Sequence, residues 1–193
     1  MFMVIAMHIV YGGSFNPPTK AHFEVYRYLK RKLPVEKFTF LPVGGAYDKE
    51  SLRYDEHRFK MLKVMTEGYD DIHVSDIELT DTTFQGTYES LKRLRKNDER
   101  LAFVIGADNL PTLHRWKNIH KMLTDFEFVV LNRKDADLDR IINRDHFLKH
   151  YRERFIVFED FDMPLSSSDY RKTQNDELIT PRVLEYIKQH NLY

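Results

Sequence analysis

Val4-Ile5-Ala6-Met7-His8-Ile9-Val10-Tyr11-Gly12-Gly13-Ser14-Phe15-Asn16-Pro17-Pro18-Thr19-Lys20-Ala21-His22 is the stretch that decides the fold. Val4 to Tyr11 is mostly apolar, carries β-branched residues and is ended by two glycines, the pattern of a strand buried on both faces. Pro17 and Pro18 stiffen the loop, and Thr19 stands where an N-cap belongs. From Lys20 to Leu33 the residues Val25, Leu29 and Leu33 recur at i, i+4 and i+8, with Tyr26 beside them, so a helix is expected. The two glycines let a ligand approach the backbone closely. The helix start adds N–H groups and a partial positive charge, which together suit a phosphate. His22, in the first helical turn, supplies a donor for the same anion. Gly12, Gly13 and His22, with the helix start at Thr19, are therefore the candidate phosphate-binding features. The string is neither a Walker A loop nor GxGxxG, because the glycines and lysine of those patterns are missing.

Working outward, strand and helix patterns alternate. Strands are expected at Phe38 to Leu41, Ile72 to Leu79, Leu101 to Ile105, Phe126 to Leu131 and Phe155 to Phe158. Helices are expected from Tyr54 to Gly68, Thr87 to Lys96, Pro111 to Leu123 and Asp135 to about His150. Thr180-Pro181 reads as an N-cap followed by proline at the first helical position, opening a last helix that buries Val183, Leu184 and Ile187. The alternation predicts an α/β fold, a doubly wound parallel sheet covered on both faces. Such sheets bind ligands at the carboxyl ends of their strands, near the switch in strand order. Gly12 to His22, Gly106 to Asn109 and Asn132-Arg133 are expected to converge there. One domain, 1–193, is expected, with a small C-terminal helical segment at about 165–193.

The 193 residues and the 42% hydrophobic content suffice for a sizeable core. Lys+Arg and Asp+Glu are both 30, and the missing basic excess argues against a general nucleic-acid binder. With no cysteine, disulfides, zinc-thiolate sites and cysteine nucleophiles are excluded. No apolar run approaches the ~20 residues of a membrane helix, and Met1 to Tyr11 does not read as a signal peptide, so a cytoplasmic protein without a membrane partner is expected. Oligomeric state leaves no sequence trace, and a homo-oligomer stays open.

The string Gly12 to His22 resembles the signature of the nucleotidyltransferase superfamily with a histidine motif, G-G-[ST]-F-[DN]-P followed by [HT]-x-x-H, with Thr19 at the first motif position and His22 at the second. Ala21 replaces the usual glycine. The segment Leu165-Ser166-Ser167-Ser168-Asp169-Tyr170-Arg171 resembles the second signature, I-S-[ST]-[ST]-x-x-R; hydroxyls and an arginine at a helix start suit phosphate oxygens. Both signatures also fit pantetheine-phosphate adenylyltransferases. The middle of the chain narrows the resemblance. Phe103-Val104-Ile105-Gly106-Ala107-Asp108-Asn109-Leu110 followed by Trp116 is similar to the F-[IV]-I-G-x-D-x-L…W pattern of bacterial nicotinate-nucleotide adenylyltransferases. Thr87 before a helix, His57-Arg58 before Met61-Leu62, Arg133 after a strand and the ending Pro181 to Tyr193 match the same family. Gly86 stands where that family has tyrosine, and Asn191 where it has glycine. The family's P-P-H-[KR] loop is absent; Val43-Gly44-Gly45-Ala46-Tyr47-Asp48-Lys49 takes its place.

The resemblance implies a Rossmann-like fold and transfer of AMP from ATP to nicotinate mononucleotide, giving deamido-NAD and pyrophosphate. It implies His22, Thr19 and Arg171 as catalytic residues. Gly12, Gly13, Ser14, Phe15, Gly106, Asp108, Arg133, Ser166, Ser167 and Ser168 would bind ATP. Lys49, Thr87, Asp108 and Trp116 would bind the mononucleotide, Trp116 by stacking on the pyridine ring. Mg²⁺ would arrive with the nucleotide, with no protein metal site. Rival readings are another enzyme of the superfamily, a pantetheine-phosphate adenylyltransferase or a cytidylyltransferase, and a nucleotide-binding sensor without catalysis.

Overall fold

The computed structural model describes residues 5–44, 55–83, 85–97, 99–132, 137–161 and 167–193. In chain order the regular elements are β1 (Met7–Gly13), α1 (Lys20–Lys32), β2 (Val35–Pro42), α2 (Asp55–Met65), β3 (Ile72–Val74), α3 (Thr87–Leu94) and β4 (Leu101–Gly106). Then follow α4 (Ile119–Asp125), β5 (Glu127–Leu131), α5 (Leu138–Arg144), α6 (His146–His150), β6 (Phe155–Phe158), α7 (Ser167–Thr173) and α8 (Pro181–Gln189). Among the described residues the strands form one six-stranded sheet in the order β3-β2-β1-β4-β5-β6. Every neighbouring pair is parallel. The order reverses between β1 and β4, a switch point that the alternation of strands and helices does not itself locate.

Strand periodicity divides the core between the two faces. Met7, Ile9 and Tyr11 of β1, with Ala102 and Val104 of β4, pack with α1, α2 and α8. Val10, with Leu101, Phe103 and Ile105, packs with α3, α4 and α5 on the other face. Each fully buried side chain of this size contributes about 1.5–3 kcal/mol relative to exposure, so both helical layers are anchored through the two central strands. α1 also reaches both edges of the sheet. Tyr26 and Lys30 bond Asp71, just before β3, while Tyr28 and Lys32 bond Asp160, just after β6. The two lysine pairs are solvent-exposed in part and worth at most about 1 kcal/mol each.

Four expected elements differ. The strand from Ile72 ends at Val74, because Asp76 turns the chain: its carbonyl accepts from the Leu79 and Thr80 amides. The helix expected over 111–123 is two pieces, a 3-10 segment at Ala107–Arg115 that holds Pro111, and α4. The left-handed Asn118 (φ 61°) breaks the path between them. The helix expected to start at Asp135 also divides, at Asp145, whose carboxylate accepts the Leu148 amide and caps α6; Asp135 itself lies outside the described residues. Thr180 does precede Pro181 at the start of α8, but its side chain makes no capping bond and its buried Oγ1 has no hydrogen-bond partner. Asn191 takes the left-handed conformation (φ 49°) after α8, as its place in the sequence suggests.

Candidate active site

A cleft opens at the carboxyl ends of β1 and β4, at the switch in strand order. It has two lobes of similar size, about 240 and 210 Å³, that share Gly12, Gly13, Ser14, Phe103, Asn109 and Trp116. His22, Gly106 and Asp108 complete the first lobe. Val43, Glu78 and Thr87 complete the second. Two ligands, or one ligand with two halves, suit such a shape. Two of the three segments expected to converge thus do so. Of the third, Asn132 is buried, with its amide on the Phe158 carbonyl, and is not among the cleft residues, while Arg133 lies outside the described residues.

Ring packing behind the first lobe holds the loop, with Phe15 itself buried outside the lining. Phe15 is fully buried, with its ring 5.4 Å from Tyr11, 5.5 Å from Phe40 and 5.0 Å from His22 between centroids. Its backbone is left-handed (φ 46°), a conformation that costs a bulky residue about 1–3 kcal/mol. Burial of the ring offsets that cost. The two glycines are needed for the same reason. A Cβ on Gly13 would lie 3.1 Å from the Phe15 ring, and one on Gly12 2.9 Å from the Phe103 ring. A Cβ on Gly106 would collide with the Asp108 carboxylate, which folds back over it.

Thr19 is the N-cap of α1 and is fully buried. Its amide donates to His22 Nδ1 at 2.9 Å, and its Oγ1 is also 2.9 Å from that nitrogen. A backbone amide can only donate, so Nδ1 accepts, and the neutral imidazole carries its proton on Nε2. Thr19 thereby sets the tautomer and the orientation of the histidine that, among the described residues, lines the first lobe.

The second motif meets the first. Ser167 Oγ donates to the Pro17 carbonyl at 2.8 Å, Arg171 donates to the Asn16 carbonyl, and the Tyr193 hydroxyl donates to the Asn16 side chain. Arg171 also donates to Ser168 Oγ at 3.2 Å. The single hydroxyl hydrogen of Ser167 is used on the loop, whereas Ser168 and Arg171 are exposed. Lys49, Arg133 and Ser166 lie outside the described residues.

The cytidylyltransferase-like family matches residues 10–173, a span that contains both motifs and the whole cleft. The chain belongs to that family. Within it, the similar relatives are adenylyltransferases by name. A probable nicotinate-nucleotide adenylyltransferase of Acholeplasma laidlawii is 36% identical over 190 residues, covering 97% of each chain. One of Carboxydothermus hydrogenoformans is 32% identical, covering 95% of this chain and 96% of that one. Among solved structures, the Plasmodium falciparum nicotinic acid mononucleotide adenylyltransferase complexed with NaAD superposes with a TM-score of 0.75 over 97% of both chains, at 22% identity. At that identity the likeness speaks for the fold alone.

In this cytidylyltransferase-like chain, two residues beside the cleft went unassigned in the sequence. Arg58 is fully buried and donates to the carbonyls of Ser14 (2.7 Å) and Val43 (2.6 Å) and to Asp55 (2.6 Å). The available signal was its spacing. Arg58 falls on the same helical face as Met61, Leu62 and Met65, where a charge has no reason to be unless it is used. Glu78 is buried in the wall of the second lobe; Ser90 donates to it at 2.5 Å, its other oxygen has no partner, and burial pushes its pKa up. No described helix is long and apolar enough to cross a membrane.

Proposed function

We infer that the chain is a nucleotidyltransferase of NAD biosynthesis that moves AMP from ATP to nicotinate mononucleotide, giving deamido-NAD and pyrophosphate. The observation that carries this reading is the cleft itself: the glycine loop, His22, Asp108 and Trp116 come from four separated positions to line it at the switch point. The family and the named relatives point the same way.

In this reading a phosphate oxygen of the mononucleotide, already anionic at neutral pH, attacks the α-phosphorus of ATP. The bond to the bridging oxygen breaks, and pyrophosphate leaves with the electron pair. No protein nucleophile or general base is required, so catalysis rests on positioning and on stabilising the charge. The Nε2–H of His22 donates to the reacting phosphate, with Thr19 behind it. Backbone groups of Gly12, Gly13, Ser14 and Phe15 line the triphosphate. Ser166, Ser168 and Arg171 serve the β- and γ-phosphates, with Arg133 as a further cation, while Ser167, its hydroxyl hydrogen on the Pro17 carbonyl, holds the loop. Gly106 and Asp108 take the ribose. Lys49, Thr87 and Trp116 serve the mononucleotide; the indole lines both lobes and packs edge-to-face with Phe103 at 6.3 Å.

Among the described residues no group of three or more His, Asp or Glu side chains could hold a metal ion. Among the described residues, Asp108 is the one exposed carboxylate of the first lobe. This donor set suits a Mg²⁺ ion that arrives on the triphosphate, held by phosphate and water, where it neutralises charge. The cytoplasm, which supplies ATP, is the expected compartment.

The test is direct. Purified protein with ATP and Mg²⁺ is offered nicotinate mononucleotide, nicotinamide mononucleotide or phosphopantetheine, and pyrophosphate release is followed. Fastest turnover is expected with the first. Turnover with phosphopantetheine alone would overturn the acceptor, and binding of ATP without turnover of any acceptor would make the protein a sensor.

A further inference from the structure

We propose that Asn109 reads a ribose hydroxyl at the boundary between the two lobes, its side-chain oxygen accepting the hydroxyl proton. The inference rests on the reading of the cleft as a site for ATP and a mononucleotide. Asn109 lines both lobes, together with Gly12, Gly13, Ser14, Phe103 and Trp116. It stands one turn into the 3-10 segment that begins at Ala107, three positions after Gly106. Residues three apart eclipse in such a segment, and Asn109 Nδ2 accordingly reaches the Gly106 carbonyl, donating to it at 3.2 Å. A carbonyl can only accept, so this contact fixes which end of the amide is nitrogen. The other end, Oδ1, is an acceptor, and among the described residues it has no partner. The backbone carbonyl of Asn109 is used separately, on the Thr112 hydroxyl at 3.3 Å. The residue is half-buried, so its free oxygen belongs to a side chain that a ligand can reach.

The chemistry of the ligands selects what this oxygen meets. Two nucleotides that join through their phosphates put phosphate in the middle, a ribose on either side and the bases at the far ends. The wall shared by the lobes is that middle, since it holds the glycine loop. Phosphate oxygens have no proton to offer at neutral pH and would be repelled by an amide oxygen. The donors closest to them are the ribose hydroxyls. Among the side chains of the shared wall Asn109 alone carries a carbonyl: the glycines and Phe103 have no polar atom there, and the Trp116 N–H only donates. Asp108, a charged acceptor, lines the first lobe only. An uncharged acceptor has a reason to be at the boundary. A carboxylate in its place would face the Gly106 carbonyl with an oxygen and would add a second negative charge beside Asp108 and the phosphates.

The ribose is that of ATP or that of the mononucleotide, and separate arms of one experiment distinguish them. Asn109→Ala and Asn109→Leu are compared with the unmodified chain. The first opens the wall and the second fills it, and both remove the acceptor. The kcat/KM is measured for ATP and its 2′-deoxy and 3′-deoxy forms at saturating nicotinate mononucleotide. It is then measured for the mononucleotide and its own 2′-deoxy and 3′-deoxy forms at saturating ATP. Melting temperatures are recorded alongside and should stay close to one another, since the side chain makes a single neutral hydrogen bond within the protein. Removing the hydroxyl that Asn109 reads is expected to cost the unmodified chain about three- to tenfold, the scale of one neutral hydrogen bond. Both variants should lose about as much with the natural substrates, and nothing further with that deoxy form. For the other hydroxyls the two losses should multiply. The substrate whose deoxy form shows the coupling is the one whose ribose Asn109 holds. Losses that multiply for every hydroxyl in both variants overturn the proposal: Asn109 then shapes the wall, or gives its second Nδ2 hydrogen to a phosphate. Unchanged kcat/KM in both variants overturns it as well. If the unmodified chain turns over no pyridine mononucleotide, the adenylyltransfer reading itself fails, and the proposal falls with it.

Discussion

β1 has a histidine beside each of its ends, and the two are held in opposite tautomers. At the amino end, His8 is almost wholly buried. Its Nδ1 is 3.2 Å from the Glu99 carboxylate, which accepts, and its Nε2 is 2.8 Å from the Thr39 hydroxyl. The proton therefore sits on Nδ1, and both ring nitrogens are consumed inside the protein. Burial, with the nearby Lys37 charge, lowers its pKa to about 4. Just past the carboxyl end, His22 uses Nδ1 to accept from its own N-cap and carries its proton on Nε2, in the wall of the cleft. One strand thus separates a histidine whose ring nitrogens are both used inside the protein from one that lines the cleft. A histidine near a strand end says little in itself; which nitrogen is occupied, and by whom, says what it is for.

The sharpest way to break this comparison is to remove each ring. His22→Ala is expected to lower kcat on the order of 10²–10³-fold, the usual cost of losing a positioned donor to developing charge. Its melting temperature should stay near that of the unmodified chain, because the ring is only half-buried. A folded His22→Ala protein with near-normal turnover would sink the mechanism. His8→Gln should behave in the opposite sense, with kcat kept and stability lost.

His8 also gives the comparison a pH axis. Its folded pKa, about 4, lies below the ordinary 6.5, so folding favours the neutral ring. That contribution is complete above pH 6.5 and is lost as pH falls through 6.5 toward 4. The loss is roughly 3 kcal/mol at the acid end of the window. The unmodified chain should therefore lose melting temperature between pH 7 and 4.5 more steeply than His8→Gln. Parallel curves for the two would show that the ring's burial is not what acid attacks.

The sheet was legible in the sequence because its strands are covered on both faces, which leaves near-continuous apolar runs ended by glycine at Gly12 and Gly106. The loop and His22 were legible because glycines, prolines and a cap in one string admit few backbone paths. What stayed hidden was the identity of the partners. Arg171 reads as a phosphate ligand from its spacing to the serines, yet in the fold it donates to the Asn16 carbonyl, 155 positions away in the chain. Thr180 reads as a cap, yet its hydroxyl is buried without a partner. Backbone carbonyls leave no residue letter, so neither the work of Arg58 nor the limits on Ser167 could be read from types and spacings.

Within the cleft, Trp116→Ala sharpens the comparison at the carboxyl end. Stacking on a flat base is worth about 1–3 kcal/mol. The KM for the mononucleotide should rise about tenfold, and the KM for ATP should rise less. Equal rises in both would count against a stacking role and in favour of a wall shared by the two lobes.

The smallest effect tests whether the amino-end network is one unit. Thr39 is buried, and valine matches its shape, so Thr39→Val removes a donor with little loss of packing. It leaves His8 Nε2 as a buried acceptor without its partner, which costs about 1–2 kcal/mol. Turnover should not change, since the network lies a strand's length from the cleft. The informative measurement is the double-mutant cycle. In a His8→Leu background there is no acceptor left to strand, and the cost of Thr39→Val should shrink toward zero. If the cost is the same in both backgrounds, the Thr39 hydroxyl matters for some other contact, and His8 is held by Glu99 and by burial alone.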